Sequence, residues 1–277
     1  DSRWLATQFY NRDRIFFTEA GLVRADGSEP PFDLSKSGYD DVRPKFGMKG
    51  NAVIWATQRY GERSHGSWGA EMDVVGLFLT QDAWDRFRLT KEEQELKKEL
   101  EEKRKKDKDK EKADDDGNDG EENAAEEKDG GDKGDDESKD DVEPIDIDFD
   151  GLETRLARLT IHASDLADYD LSPDGDKLYY LARFEKGYDL WVHDFREEST
   201  KILTKLGANN AEMQMTDNGE TIFLLAGGSL SKISTKDGDK KGIGFSADLR
   251  IDADAERRYL LLAGAVRAEP GGQHEQP

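Results

Sequence analysis

The sequence contains no cysteine, so neither a disulfide nor a thiolate metal site is open to it. It is also short of positive charge: 63 acidic side chains against 41 basic ones leave a formal charge of -22. A chain this acidic repels phosphate backbones, which excludes nucleic-acid binding through a basic footprint. Long apolar runs are missing, and no stretch of the 277 residues has the length and apolarity of a membrane span. The opening residues Asp1-Ser2-Arg3-Trp4 lack the pattern of a secretory signal. Even the hydrophobic content, 34%, is low for a packed domain.

That average conceals two materials. Residues 91 to 144 hold 25 Asp or Glu, 13 Lys or Arg and six apolar residues. Such a segment cannot bury enough surface to offset chain entropy. Without it, 223 residues remain at a net charge of -10 and about 39% apolar, an ordinary globular composition. The sequence therefore reads as an acidic insert inside a folded protein. The insert opens on Thr90-Lys91-Glu92-Glu93, a capping box, and continues with helix formers to about Lys106. From Asp107 onward the composition predicts disorder. Leu89, Leu96 and Leu100 supply too few heptad positions for a coiled coil, so the expectation is a solvated helical stalk.

The folded part repeats. Three turns, Gly47-Met48-Lys49-Gly50, Ser172-Pro173-Asp174-Gly175 and Thr216-Asp217-Asn218-Gly219, are each followed by a β-rich run starting at Ala52, Leu178 or Thr221. Upstream of each lies a leucine followed by a hydroxyl residue: Leu34-Ser35, Leu159-Thr160 and Leu203-Thr204. From that hydroxyl to the turn glycine is 15 residues every time, and Thr160 to Thr204 is 44, the period of a four-stranded propeller blade. Strands are expected at about 166–171, 177–182, 189–194 and 200–203. Met72 to Leu79 and Thr154 to Thr160 read as the last two strands of an earlier blade, with the insert and a short helix near 81–88 between them. The first blade begins in mid-repeat, because Ser2 to Thr7 matches the strand that follows a turn. The fold class is all-β: a partial β-propeller of about three to four WD-like blades of four antiparallel strands, carrying a long acidic insert, helical at its start and then disordered. The expected organisation is 1–89 propeller blades, 90–149 insert, 150–254 propeller blades and 255–277 tail.

Candidate chemistry is sparse. Arg63-Ser64-His65-Gly66-Ser67-Trp68 sets a histidine between two serines, but acyl transfer also needs an orienting acid and an oxyanion hole, so a glycine-punctuated blade loop is the favoured reading. Asp146-Ile147-Asp148-Phe149-Asp150-Gly151 matches half a calcium loop, yet its twelfth position is Ala157 rather than Glu. Ile145, Ile147 and Phe149 alternate with the aspartates, which predicts a half-buried strand instead. His162 and His193 read as structural histidines, and Tyr179, Tyr180, Tyr188 and Trp191 as packing between blades. No catalytic, cofactor-binding or metal-binding residue is assigned, and no cofactor is called for.

Three runs, Ser37-Gly38-Tyr39-Asp40-Asp41-Val42-Arg43-Pro44, Arg63 to Gly69, and Ala182 to Trp191, resemble the propeller region of bacterial tricorn-type serine peptidases. Ala253-Asp254-Ala255-Glu256-Arg257-Arg258-Tyr259 resembles the junction where that family enters its catalytic portion. The resemblance implies tandem propellers that filter peptides toward a metal-independent catalytic core with an inserted PDZ domain. It also implies a large homo-oligomer and peptide substrates reached through that core. The family's serine and histidine lie downstream of these residues, so none is carried over. The resemblance places the protein in the cytoplasm, or in the periplasm if a signal peptide precedes Asp1. After Tyr259 the sequence departs from the family, running through Leu260-Leu261-Leu262 to Pro277, and the expectation is a truncated or frame-altered end. On this reading the chain is a non-catalytic propeller fragment that scaffolds and gates a peptidase. The rival is a TolB-like propeller binding a protein partner with no peptidase attached.

Overall fold

The computed structural model describes residues 3–10, 17–63, 69–97, 99, 100, 103, 144–244 and 246. Residues Asp1–Gly242 form one compact unit and Ile243–Pro277 a second; everything below concerns the first. The expected disordered stretch, the serine-histidine run 64–68, the junction near Glu256 and the C-terminal departure lie outside the described residues.

Four antiparallel sheets stand as the blades of a β-propeller. The first has three strands, β1 (Trp4–Tyr10), β2 (Thr18–Arg24) and β3 (Phe32–Asp33). The second comprises β4 (Asp41–Gly47), β5 (Ala52–Thr57), β6 (Asp73–Phe78) and β7 (Leu156–Arg158). The third comprises β8 (Asp165–Leu171), β9 (Lys177–Arg183), β10 (Tyr188–Asp194) and β11 (Ser199–Ala208). The fourth comprises β12 (Ala211–Met215), β13 (Thr221–Ala226), β14 (Ser229–Ser234) and β15 (Lys240–Gly242). Each is a meander, and β6 pairs with β7 across the insert, Leu77 opposite Leu156. The expected interruption of one blade between its last two strands is what the chain does.

Middle blades are covered on both faces, so β5 and β9 are buried almost throughout rather than alternating. Ile54 and Ala56 face the third blade, while Val53 and Trp55 join Trp4 and Leu22 toward the first. The turn glycines have a packing reason beyond their backbone. Gly175 has φ 79°, and a Cβ there would lie 2.6 Å from Met48 Sδ in the turn of the second blade. Gly219, φ 73°, would meet Pro173 Cδ at 2.6 Å. Each turn therefore nests against the turn of the blade before it.

Two sequence expectations change. Residues 144–149 form no strand: Asp148 N donates to Leu79 O at 2.9 Å, but no ladder follows. Ile145 and Ile147 still pack inward, and Phe149 meets the rings of Trp4 and Phe32 at 6.2 and 5.0 Å, so the alternation was set by packing rather than pairing. The insert's start is also more than a solvated stalk. Helix α1 (Gln81–Arg88), capped by Thr80, is followed by the expected capping box, with Thr90 N donating to Glu93 Oε2 at 2.8 Å and Glu93 N to Thr90 Oγ1 at 3.3 Å. Both turns are fastened to the third blade. Arg196 donates to the carbonyls of Arg86, Phe87 and Leu89 and pairs with Asp176 at 2.8 Å. Gln94 donates to the same Asp176, and Phe87 packs edge-on against Phe195 at 5.1 Å.

Candidate functional site

The opening strands β4, β8 and β12 lie side by side, each with one backbone edge that no strand of its own blade covers. Bulges interrupt β4 between Val42 and Lys45 and β8 between Leu166 and Asp168. At the first, Arg43 takes φ 53°, which turns its side chain along the neighbouring strand. Its guanidinium donates to Leu166 O at 3.1 Å and to Ala167 O, and Lys45 Nζ reaches Asp168 Oδ1 at 2.6 Å and Tyr169 O at 3.1 Å. The next step uses the opposite polarity: Asp168 Oδ2 accepts from Met213 N at 2.9 Å and Asp170 Oδ2 from Met215 N at 3.2 Å. Upstream, Gln8 Oε1 accepts from Arg43 N at 3.0 Å. Each opening strand thus has its edge satisfied by side chains of the blade before it. Tyr169 locks the middle of this relay, donating to Arg43 O at 2.5 Å and accepting from Ala56 N at 2.9 Å. Burial pushes its phenol up, and burial raises the Asp170 carboxyl too, against the opposing charge of Lys45.

Along these strands lie three depressions, each sharing a lining residue with the next. The first, about 810 Å³, is lined by Gln8, Arg43, Glu62, Arg63, Glu71 and Asp165 among others. It shares Arg43 with a second of about 620 Å³, bordered by Lys45, Asp168, Glu212, Phe223 and Leu225. That one shares Gln214 with a third of about 680 Å³ around Met48, Pro173 and Met215. The first opens beside the hairpin in which Arg63 pairs with Ala70. The third opens at the turns, the end from which the acidic insert leaves, since Leu79 N bonds Asn51 O at 2.9 Å.

The path is that of a β-propeller and invites comparison with solved ones. TolB from Acinetobacter baumannii superposes with a TM-score of 0.50 at 11% identity, covering 89% of this chain and 42% of that one. The tricorn protease gives 0.51 at 8% identity, with 87% and 21% covered. The likeness is one of fold. This chain spans less than half the length of either structure. No protein-family model matches the sequence, and no curated protein does.

The motifs behind the family resemblance have structural work to do. Ser37 donates to Asp41 Oδ2, Trp55 Nε1 to Asp41 Oδ1 at 3.0 Å, and Asp40 Oδ1 accepts from Thr18 N at 3.1 Å, which ties the first blade to the second. Burial raises the Asp41 carboxyl, opposed by hydrogen bonds from Ser37, Thr57 and Trp55. Arg63 stacks 4.6 Å over Tyr39 beside the described end of the serine-histidine hairpin. The recurrent hydroxyls are latches. Ser35 Oγ donates to Glu19 Oε2 and Thr160 Oγ1 to Asp73 Oδ1, both at 2.6 Å, while Ala20 N and Val74 N donate back to the hydroxyls. Thr204 departs, donating to Gly238 O at 2.9 Å. The acidic partners escaped the sequence reading, although Glu19 and Asp73 both stand at the start of a third-strand run.

In the half calcium loop, Arg155 sits where a cation would. It is 2% exposed and donates to Asp150 O and Phe78 O at 3.0 Å and to Asp148 O. His193 is buried, with Nδ1 2.7 Å from Thr200 Oγ1 and its ring edge-on to Phe195, and burial pushes its pKa down. His162, by contrast, is exposed in the connection from β7 to β8. Tyr179 bonds Thr235 of the fourth blade, as expected for packing between blades, whereas Tyr188 OH donates to Asp165 inside its own blade.

Proposed function

We propose that residues 1–89 and 150–254 form a non-catalytic propeller module that scaffolds and gates oligopeptide access to a peptidase core lying outside this chain. The observation that carries it is the row of three depressions along the opening strands, with Arg43, Arg63, Glu62, Glu71 and Asp165 around the first and the root of the acidic insert beside the third. An extended peptide suits such a row: the second depression is bordered by apolar Phe223, Leu225 and Leu230 and by polar Lys45, Asp168 and Glu212. The solved tricorn protease, similar in fold, lends support to a peptidase context. The test is fluorescence anisotropy with a labelled decapeptide. Gln214→Trp narrows the point shared by two depressions and should weaken binding about tenfold with the melting temperature unchanged; unchanged affinity would sink the gating reading.

A second reading has its own support. Phe223 and Leu225 are 40% and 46% exposed on the outward face of the fourth blade, an apolar patch suited to a folded protein partner, as in a TolB-like binding module. Under that reading Leu225→Asp abolishes partner binding while decapeptide affinity is absent from the start.

A further inference from the structure

The third blade carries a depression of its own, away from the opening strands. It measures about 560 Å³ and lies between the β9–β10 connection, residues 184–187, and the end of β11, with the cross-strand pair Trp191 and Ile202 in its lining. Its shape is built in. Tyr188 pairs with Ala208, Leu190 with Thr204 and Trp191 with Ile202, so Lys205, Leu206 and Gly207 stand opposite Asp189 alone. Asp189 Oδ1 holds this bulge by accepting from Leu206 N at 2.6 Å and Gly207 N at 3.0 Å. Gly187 lets the connection close on it, since a Cβ there would lie 2.4 Å from Gly207 C. The fourth blade has neither device: its corresponding connection is Gly227-Gly228, and β14 pairs with β15 without a shift. The chemistry of the depression is equally particular. Phe184, 48% exposed, stands edge-on to Trp191 at 5.0 Å. Trp191 Nε1 is shut off from solvent with no acceptor among the described residues, a cost that a carbonyl would remove once the Phe184 ring turns aside. Lys186 and Lys205 are exposed at the rim against one carboxylate, Glu185, because the carboxylate of Asp189 is taken up by the bulge. Two rings at a right angle, an indole donor and a basic rim suit an extended acidic segment bearing proline.

We infer that the occupant is the β2–β3 loop of a second copy of this chain. Residues 25–32 are exposed without a break, and within them Asp26 and Glu29 lead into Pro30-Pro31. Consecutive prolines hold Glu29 and Pro30 extended, and Asp26 Oδ1 accepts from Ser28 N at 3.0 Å, so the loop is largely preformed. Its acidic residues complement Lys186 and Lys205 in a chain that is otherwise short of positive charge. The two parts cannot meet within one molecule. The Glu19–Ser35 latch matches Asp73–Thr160, so β2 corresponds to β6, and its loop leaves at the end from which the insert leaves. The β9–β10 connection is at the other end, where Arg183 pairs with Asp165 beside the bridge from Met72 to Ser164. A strand length of roughly 20 Å separates the two ends. The contact is therefore head to tail and links copies into a chain or a ring. It stands without the gating reading, because it uses the outer strands of the third blade and none of the opening strands.

The probe is a fluorescein-labelled peptide copying Ala25 through Asp33, titrated into the full chain and followed by anisotropy. Binding should saturate with a Kd below about 1 mM, and alanine in place of both prolines should weaken it about tenfold or more. Trp191→Phe keeps the ring pair and removes the donor. It should weaken binding about tenfold at an unchanged melting temperature, and Lys205→Glu on the exposed rim should do the same if the first variant melts early. Because the chain has no cysteine, contact between whole copies can be read separately. Pro30→Cys and Lys186→Cys proteins, mixed under mild oxidation, should give a mixed disulfide dimer in excess over the dimers of either alone. Pro30→Cys mixed with Lys236→Cys, an exposed position in the β14–β15 connection at the other end, should not. No saturation, equal affinity for the alanine peptide, unchanged affinity in both protein variants, or equal disulfide yield from the two mixtures would each overturn the inference.

Discussion

Arg196 shows how much can hang on one side chain. It closes the C-terminus of α1 by donating to the carbonyls of Arg86, Phe87 and Leu89, and its own charge is met by Asp176 at 8% and 14% exposure. Removing one partner of a buried pair strands the other, so Arg196→Met should cost roughly 3 kcal/mol in urea unfolding and speed amide exchange in residues 91–97. His193 makes a pH prediction. Its pKa is lowered by burial, so between the ordinary value of 6.5 and its folded value the unfolded chain binds the proton and the folded chain does not. Stability contributed by the neutral ring is complete above that window and falls as pH drops through it. His193→Gln should reduce the loss of melting temperature between pH 7.5 and 5.5, and an identical loss in the variant would contradict the assignment. The Arg196 clasp was not legible in the sequence, because Arg196 and its carbonyl acceptors are about 110 residues apart, whereas His193 read as a structural histidine without its partners Thr200 and Phe195. Arg155, close behind Asp148 and Asp150, was nearer to hand, but spacing does not reveal which way a guanidinium turns.

At the level of the strand and turn, much more could be read in advance. In the middle copy the 15-residue interval joins a latch on the third strand of one blade, Thr160 to Asp73, to a nested turn in the next, Gly175 on Met48; the first copy keeps the latch and the third the nested turn. What periodicity could not reveal is the contact that makes the glycine necessary. Gly175→Ala places a Cβ on Met48 at a positive φ and should destabilise by about 2 kcal/mol. Gly27→Ala, also at positive φ but with open space around it, should cost about 1 kcal/mol. Adding Met48→Ala should recover part of the first loss and none of the second when both are measured by chemical denaturation. The strand expected at 145–149 failed for a related reason: alternation reports a half-buried face, and here the face is buried by loop packing without a neighbouring strand.

For the molecule as a whole, the repeat count and the interrupted blade were legible from composition and spacing, while the relay between opening strands was not. Asp168 and Asp170 look like ordinary outward residues of an alternating strand, and only the arrangement of blades shows that they cap the next one. The same arrangement explains why equivalent residues differ in exposure: Tyr179 and Leu181 are 3% and 0% exposed, whereas Phe223 and Leu225, one period on, are open. Leu181→Asp should abolish folding, and Leu225→Asp should leave the melt nearly unchanged while reducing concentration-dependent association in sedimentation velocity. The central claim is that a peptide travels along the opening strands. It is tested most directly by placing a photo-crosslinking residue at Gln214, and in a second protein at exposed Lys201 on the outermost strand of the third blade, then irradiating with a mixture of oligopeptides. Mass spectrometry should find peptide adducts at position 214 and none at 201; equal labelling of the two positions, or none at 214, would contradict the account.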